Sequence, residues 1–230
     1  MPLPFVGLGV RLGAKALPSL PSSGGPRGFN INVETDIKAA VRQLKRVGER
    51  NIPMAIAQSL TGTAVHLRKV QMRTMSKHID RPTPFTKKGI LYQRAEWRDY
   101  KRGTMYARVF VNKPQSKYLK YQVYGGTRNP PKRVNVVPGR SIKLNPYGNL
   151  SETYIKTQMG KPNTFVDKID GISGIWQRYK TRPAKLLVLF TGATRYKPRW
   201  PFFRISDRIV ARELPKQLNR AVRRALNKGR

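Results

Sequence analysis

Apolar residues fall at helical spacing near both ends of the chain and cluster as strands between. Ile37, Ala40, Val41, Leu44 and Val47 recur at intervals of three and four, which predicts a first helix. Asn32 or Thr35 can cap its start. Glu34 and Asp36 lie near that start, Lys45 and Arg46 in the last turn, as the helix dipole favours, and Gly48 stops it. A second, longer helix follows Asn51, with Pro53 in its first turn, where a missing N–H costs nothing. Its apolar stripe is Ala57, Leu60, Ala64, Leu67 and Val70; it runs to about Met75, before Pro82 and Pro84. So short a link predicts an antiparallel helical hairpin.

The period then changes. Residues 90–97 and 104–111 are rich in strand formers and flank a turn at 99–103, so they predict a β-hairpin. A short helix is expected over 116–124, ending at Gly125-Gly126. Residues 127–165 are polar and irregular, with Asn129-Pro130-Pro131 and Asn145-Pro146-Tyr147-Gly148, and read as a long loop with one short helix near 150–157. Strands resume at 174–179 and 185–190 across a turn-like Lys180-Thr181-Arg182-Pro183. The last segment is helical, with Phe202, Phe203, Ile205, Ile209 and Val210 ahead of Pro215, which is expected to kink or restart the helix. Leu218, Ala221, Val222, Ala225 and Leu226 continue the apolar stripe.

Residues 1–30 are dense in chain breakers (Pro2, Pro4, Gly7, Gly9, Gly13, Pro18, Pro21, Gly24, Gly25, Pro26, Gly28) and read as an extended arm. Phe5, Val6, Leu8, Val10 and Leu12 suit an arm that docks on a neighbour. The apolar start carries no charge ahead of it and is broken by proline and glycine, which argues against a signal peptide. The expected fold class is α+β: an N-terminal helical hairpin, a small antiparallel sheet and a C-terminal helix, with the extended arm and a long mid-chain loop. The expected organisation is an arm at 1–30 and a single domain at 31–230, with a loop insertion at about 127–170.

Charge narrows the function. The chain of 230 residues carries 47 Lys+Arg against 11 Asp+Glu, a formal net charge of +36. Self-repulsion on that scale opposes compaction and calls for an anionic counterpart nearby: nucleic acid, an acidic ring of partner subunits or anionic lipid. There are no cysteines, which removes disulfides, thiolate metal sites and a Cys nucleophile, and suits a reducing cytoplasm. No apolar run approaches the ~20 residues that span a bilayer, so no membrane partner is expected.

No reactive constellation is evident. His66 and His78 lack metal-site spacing, and Asp167 and Asp170 read as flanks of a turn before Gly171. There is no nucleophile elbow and no phosphate loop, and the glycines at 7, 9 and 13 miss the dinucleotide spacing. The chain is therefore read as a non-enzyme without cofactor or metal. Basic residues interleave with aromatics at 92–102 and 195–200, a mixture suited to nucleic acid, although the aromatics there read better as core or interface residues. The candidate contact residues are Arg212, Lys216, Arg220, Arg223 and Arg224 on the C-terminal helix, facing DNA or an acidic partner.

Several segments share their order with a known family. Gly174-Ile175-Trp176-Gln177-Arg178 is followed by a basic turn and Leu186-Leu187-Val188-Leu189-Phe190. Next come Trp200-Pro201-Phe202-Phe203 and a helix containing Arg212-Glu213-Leu214-Pro215-Lys216-Gln217-Leu218. This order resembles the phage minor tail protein Z family, the tail-completion proteins of long-tailed phages. Tyr118-Leu119-Lys120-Tyr121-Gln122-Val123-Tyr124-Gly125-Gly126-Thr127 is similar to the signature of the wider neck and tail-completion fold, with Gln122 and Val123 around the usual acidic position. The resemblance covers about residues 35–125 and 170–228; the arm and the 127–170 segment depart from it. It implies a virion protein of the tail or neck, made in the host cytoplasm. It would form a ring, expected as a hexamer, at the head-proximal end of the tail, against tail tube, tail terminator or head connector proteins, and help join tail to head. Non-specific contact with packaged DNA is a further expectation. The alternative is a general, non-specific nucleic-acid-binding basic protein.

Overall fold

A computed structural model describes residues 29–33, 52–130, 134–151 and 153–227. Most of the arm and the predicted helix at 37–47, hence the helical hairpin, lie outside these residues. In chain order the elements are β1 (Asn30–Val33), α1 (Ile52–His78), α2 (Pro84–Lys88), β2 (Ile90–Gln93), a 3-10 turn (Trp97–Tyr100), β3 (Ala107–Val111) and α3 (Lys113–Tyr124). There follow β4 (Gly126–Arg128), β5 (Asn135–Pro138), α4 (Tyr154–Met159), β6 (Thr164–Ile169), β7 (Ile172–Gln177), β8 (Lys185–Thr191), β9 (Thr194–Tyr196) and α5 (Phe202–Asn227). Two long helices with small antiparallel sheets make the fold α+β, as the sequence predicts. The described residues form two compact units. One takes the chain up to His78, Pro84–Lys120 and the segment from Trp200; the other takes Ile79–Thr83 and Tyr121–Arg199.

In the first unit α1 lies against both α5 and a three-stranded sheet in the order β1-β3-β2. Ile56, Leu60, Ala64 and Leu67, three and four residues apart, are fully buried on one side of α1. Each leucine so buried contributes roughly 1.5–3 kcal/mol relative to exposure. On β3 every second residue, Ala107, Val109 and Val111, points into the core, joined by Ile31 of β1 and Ile90 of β2. Arg68 Nε donates to the Ile90 carbonyl at 2.7 Å, and the Ala95 amide donates to Thr61 Oγ1 at 3.0 Å, so polar groups also fix α1 to the sheet. The expected hairpin is present as the antiparallel β2–β3 pair, with Leu91 opposite Phe110. Helix α3 starts at Lys113, earlier than the predicted 116.

Asn32 is not a helix cap: it lies in β1, paired with Arg108. Phe29, Ile31 and Val33 alternate with Asn30 and Asn32. That two-residue period aims Ile31 into the core at 3% exposure. Phe29 packs edge-on against Trp200 and Phe202, with ring centroids 6.1 and 4.8 Å away. The end of the predicted arm is thus part of the core.

The second unit contains a four-stranded antiparallel sheet, β5-β8-β7-β6, and the short pair β4–β9. Ile175, Leu187 and Val188 form its buried centre; Ile142, Leu150, Tyr154, Ile155 and Phe190 pack on it. The stretch at 127–165, expected to be irregular, contributes β5, the end of β4 and the start of β6, and places its helix at Tyr154–Met159 rather than 150–157. Asn135, Val136, Val137 and Pro138 pair with the strongly apolar β8. A neighbouring strand, rather than an apolar pattern of its own, makes this segment extended. Asp170 and Gly171 form the β6–β7 turn, with φ of 49° and 79°, between the paired Ile169 and Ile172. Two successive positive φ values suit the tight hairpin, and Asp-Gly supplies them at low cost.

Candidate functional site

The site is the outer face of α5. Its inner face is set by Phe202, Ser206, Ile209, Val210, Leu214, Leu218 and Ala221, all buried, and α5 packs along α1. A Cβ added at Gly62 of α1 would meet Gln217 Oε1 at 2.8 Å, so the Gln217 side chain of α5 lies over the bare backbone of α1 there. Gln71 Nε2 donates to the Phe202 carbonyl and to Ser206 Oγ, each at 2.8 Å, and Ser59 Oγ contacts the Gln217 carbonyl at 3.3 Å. These contacts fix which side of α5 faces out.

Pro215 neither ends nor restarts the helix; α5 is one element from Phe202 to Asn227. Proline withholds its N–H from the carbonyl of residue 211. Ala211 is exposed, so solvent can serve that carbonyl at a lower cost than a buried break would carry.

The exposed positions of α5, with side chains described to residue 224, are Arg204, Arg208, Ala211, Arg212, Lys216, Asn219, Arg220, Arg223 and Arg224. Six of the cations, Arg204, Arg208, Arg212, Lys216, Arg220 and Arg224, follow one another at every fourth residue. That row is one ridge of an α-helix, with about 6 Å between neighbours and about 30 Å from end to end. All five predicted contact residues lie on this face. Arg204 and Arg208 were missed by the sequence reading; the four-residue spacing that links them to Arg212 was the available signal.

The face carries no exposed acid. Glu213, 7% exposed, is turned toward α1, 3.9 Å from His66 Nε2, 3.5 Å from Arg212 Nε and 3.4 Å from Lys216 Nζ. It offsets part of the charge of Arg212 and Lys216 from beneath. Asp207, half-buried at the flank, has its carboxyl held above the ordinary range by loss of hydration. No ion pair to Arg204, Arg208, Arg220, Arg223 or Arg224 is present among the described residues.

The other candidates divide. Trp200 is core, at 1% exposure, and Tyr196 stacks with Tyr121 at 5.8 Å. Trp97 is 48% exposed, with the guanidinium of Arg98 over its ring at 5.7 Å; Arg108 lies over Tyr106, Arg178 over Phe165 and Arg182 over Tyr179. Of these four cation–π pairs, Arg98–Trp97 falls within the interleaved stretches at 92–102 and 195–200. An open cleft of about 550 Å³ is lined by Tyr92, Gln93, Arg94 and Phe110, without an acid or a histidine. Asp167 Oδ1 accepts from the Lys168 amide at 2.7 Å, a local strand contact. Among the described residues no group of three or more His, Cys, Asp and Glu could hold a metal ion, and no helix is long and apolar enough to cross a membrane.

No protein family, curated protein or solved structure matches the chain.

Proposed function

We propose that this chain is a structural, non-enzymatic virion protein of a tailed phage. It acts as a tail-completion or neck protein that forms a ring at the head-proximal end of the tail and helps join tail to head. The ordered sequence resemblance supplies the setting. The single observation that carries the physical argument is the outer face of α5: seven cations, no exposed acid, held on a helix whose other side is locked into a core. A rigid array of like charges repels itself and gains stability only when an anionic surface lies against it. A larger assembly provides such a surface permanently. Closure into a ring requires each subunit to present two different complementary patches.

The test is a null mutant of the gene in its phage, with lysates imaged by negative stain. Separate heads and tails, rejoined when the protein is supplied in trans, are expected. Normal infectious particles would reject the proposal and favour the general nucleic-acid binder.

A further inference from the structure

We infer that the outer face of α5 is a binding surface for the phosphate backbone of duplex DNA, engaged without regard to sequence, rather than for an acidic protein. The inference rests on the virion reading for the setting in which protein and duplex meet.

The composition of the face decides between the two anions. Protein–protein interfaces have an apolar core in which aromatic and aliphatic anchors carry the energy. Among the nine exposed positions of α5 through Arg224, only Ala211 is apolar, and no aromatic is present. Surfaces that meet DNA are polar and strongly positive instead. The seven cations comprise six arginines and one lysine. The planar guanidinium fork matches phosphate oxygens two at a time, which a lysine ammonium cannot do.

Geometry agrees. Each step of the row turns about 40° around the helix axis, so Arg208, Arg212, Lys216, Arg220 and Arg223 share one side of about 120° and extend about 22 Å along it, enough for one helix laid against DNA to reach several phosphates. Among the described residues, Glu213 is the one carboxylate within 4 Å of a cation of the row, and its burial keeps it away from the approaching phosphates, so duplex approach meets no like charge at the exposed positions. Asn219 is the one exposed side chain on the face with both donor and acceptor groups suited to base edges. Phosphate contact therefore dominates, and sequence preference is weak.

The experiment uses the purified full chain and a fluorescent mixed-sequence duplex of about 30 base pairs, titrated at several salt concentrations between about 50 and 200 mM. Two triple variants are compared. Arg208→Gln with Arg220→Gln and Arg223→Gln removes charge from the face; Lys156→Gln with Lys161→Gln and Lys168→Gln removes as much from exposed positions in the second unit. Each phosphate contact adds about 0.9 to the slope of log affinity against log salt. The α5 triple should lower that slope by about 2.7, making the loss of affinity across this salt range about forty-fold smaller. The second triple should leave the slope within about 0.5 of the parent. Circular dichroism verifies that all three proteins are folded.

An equal fall in both triples would mean diffuse attraction and overturn the inference. So would an unmoved duplex slope in the α5 triple, whether or not poly-glutamate binding then depends on those arginines; such dependence would assign the face to an acidic protein. The two proposals fail separately. An unchanged duplex slope with separated heads and tails in the null mutant sinks the DNA contact and leaves the virion role. A lowered slope with normal null-mutant particles does the reverse.

Discussion

Gln71 offers a direct test of how α1 holds α5. Its side chain is fully buried; Nε2 donates to the Phe202 carbonyl and to Ser206 Oγ, while Oε1 has no hydrogen-bond partner among the described residues. Ser206 Oγ also donates to the Phe202 carbonyl at 2.8 Å. Gln71→Met keeps the volume and removes two hydrogen bonds, each worth about 0.5–1.5 kcal/mol net. It also ends the burial of an amide, with its partnerless oxygen, which costs about 1–3 kcal/mol. The two effects oppose each other, so Gln71→Met should lie within about 1.5 kcal/mol of the parent.

Gln71→Glu has nearly the same shape and the opposite consequence. It replaces the donor with a carboxylate oxygen facing a carbonyl and a hydroxyl in a dry site. Burial raises a carboxyl pKa by up to about 3–5 units, and each unit is about 1.4 kcal/mol. At pH 7 a group raised that far takes up a proton, so the cost is limited by the gap between 7 and the ordinary value of about 4.3, about 3–4 kcal/mol, still a large part of the roughly 5–15 kcal/mol that holds a domain together. Because the folded-state pKa is raised, the folded protein binds the extra proton first. The penalty shrinks as pH falls below that pKa and is gone below the ordinary glutamate value of about 4.3. Urea unfolding followed by far-ultraviolet circular dichroism, at neutral pH and near pH 4, measures each variant against the parent at the same pH. Gln71→Glu stability within about 1 kcal/mol of the parent at neutral pH, or a Gln71→Met cost above about 3 kcal/mol, would refute the reasoning.

Three further outcomes are expected. Phe29→Ala removes a ring packed on Trp200 and Phe202 and should cost about 3–5 kcal/mol in chemical denaturation, with β1 becoming more protease-sensitive. Gly174→Ala places a Cβ against the Val188 carbonyl oxygen and 2.8 Å from Leu186 Cδ1; β7 must shift from β8, lowering the stability of the second unit by about 1–3 kcal/mol, as hydrogen exchange in β7 and β8 would register. Asp207→Asn should stabilise by at most a few tenths of a kcal/mol at neutral pH, since the carboxyl is only partly dehydrated and solvent screens it, and the gain should vanish below the ordinary aspartate range, as paired thermal melts would show.

The sequence by itself determined the periodic elements. Where apolar side chains recur at fixed spacing the pattern records which side is buried, which made α1 and α5 legible, while runs of strand formers marked β2, β3, β7 and β8. The cationic character of the C-terminal helix was equally plain. Tertiary structure decided what depends on partners distant in sequence. Val136 and Val137 are extended because β8 offers them a ladder, and Asn32 is a strand residue because Arg108 lies opposite. It also decided that α5 runs through Pro215, because the carbonyl left without a donor falls on the exposed side. That continuity, together with packing against α1, turns scattered basic residues into one exposed ridge winding along α5 while Glu213 is drawn inward. Charge is a property of composition, but its alignment on one face is fixed only when the opposite face is buried.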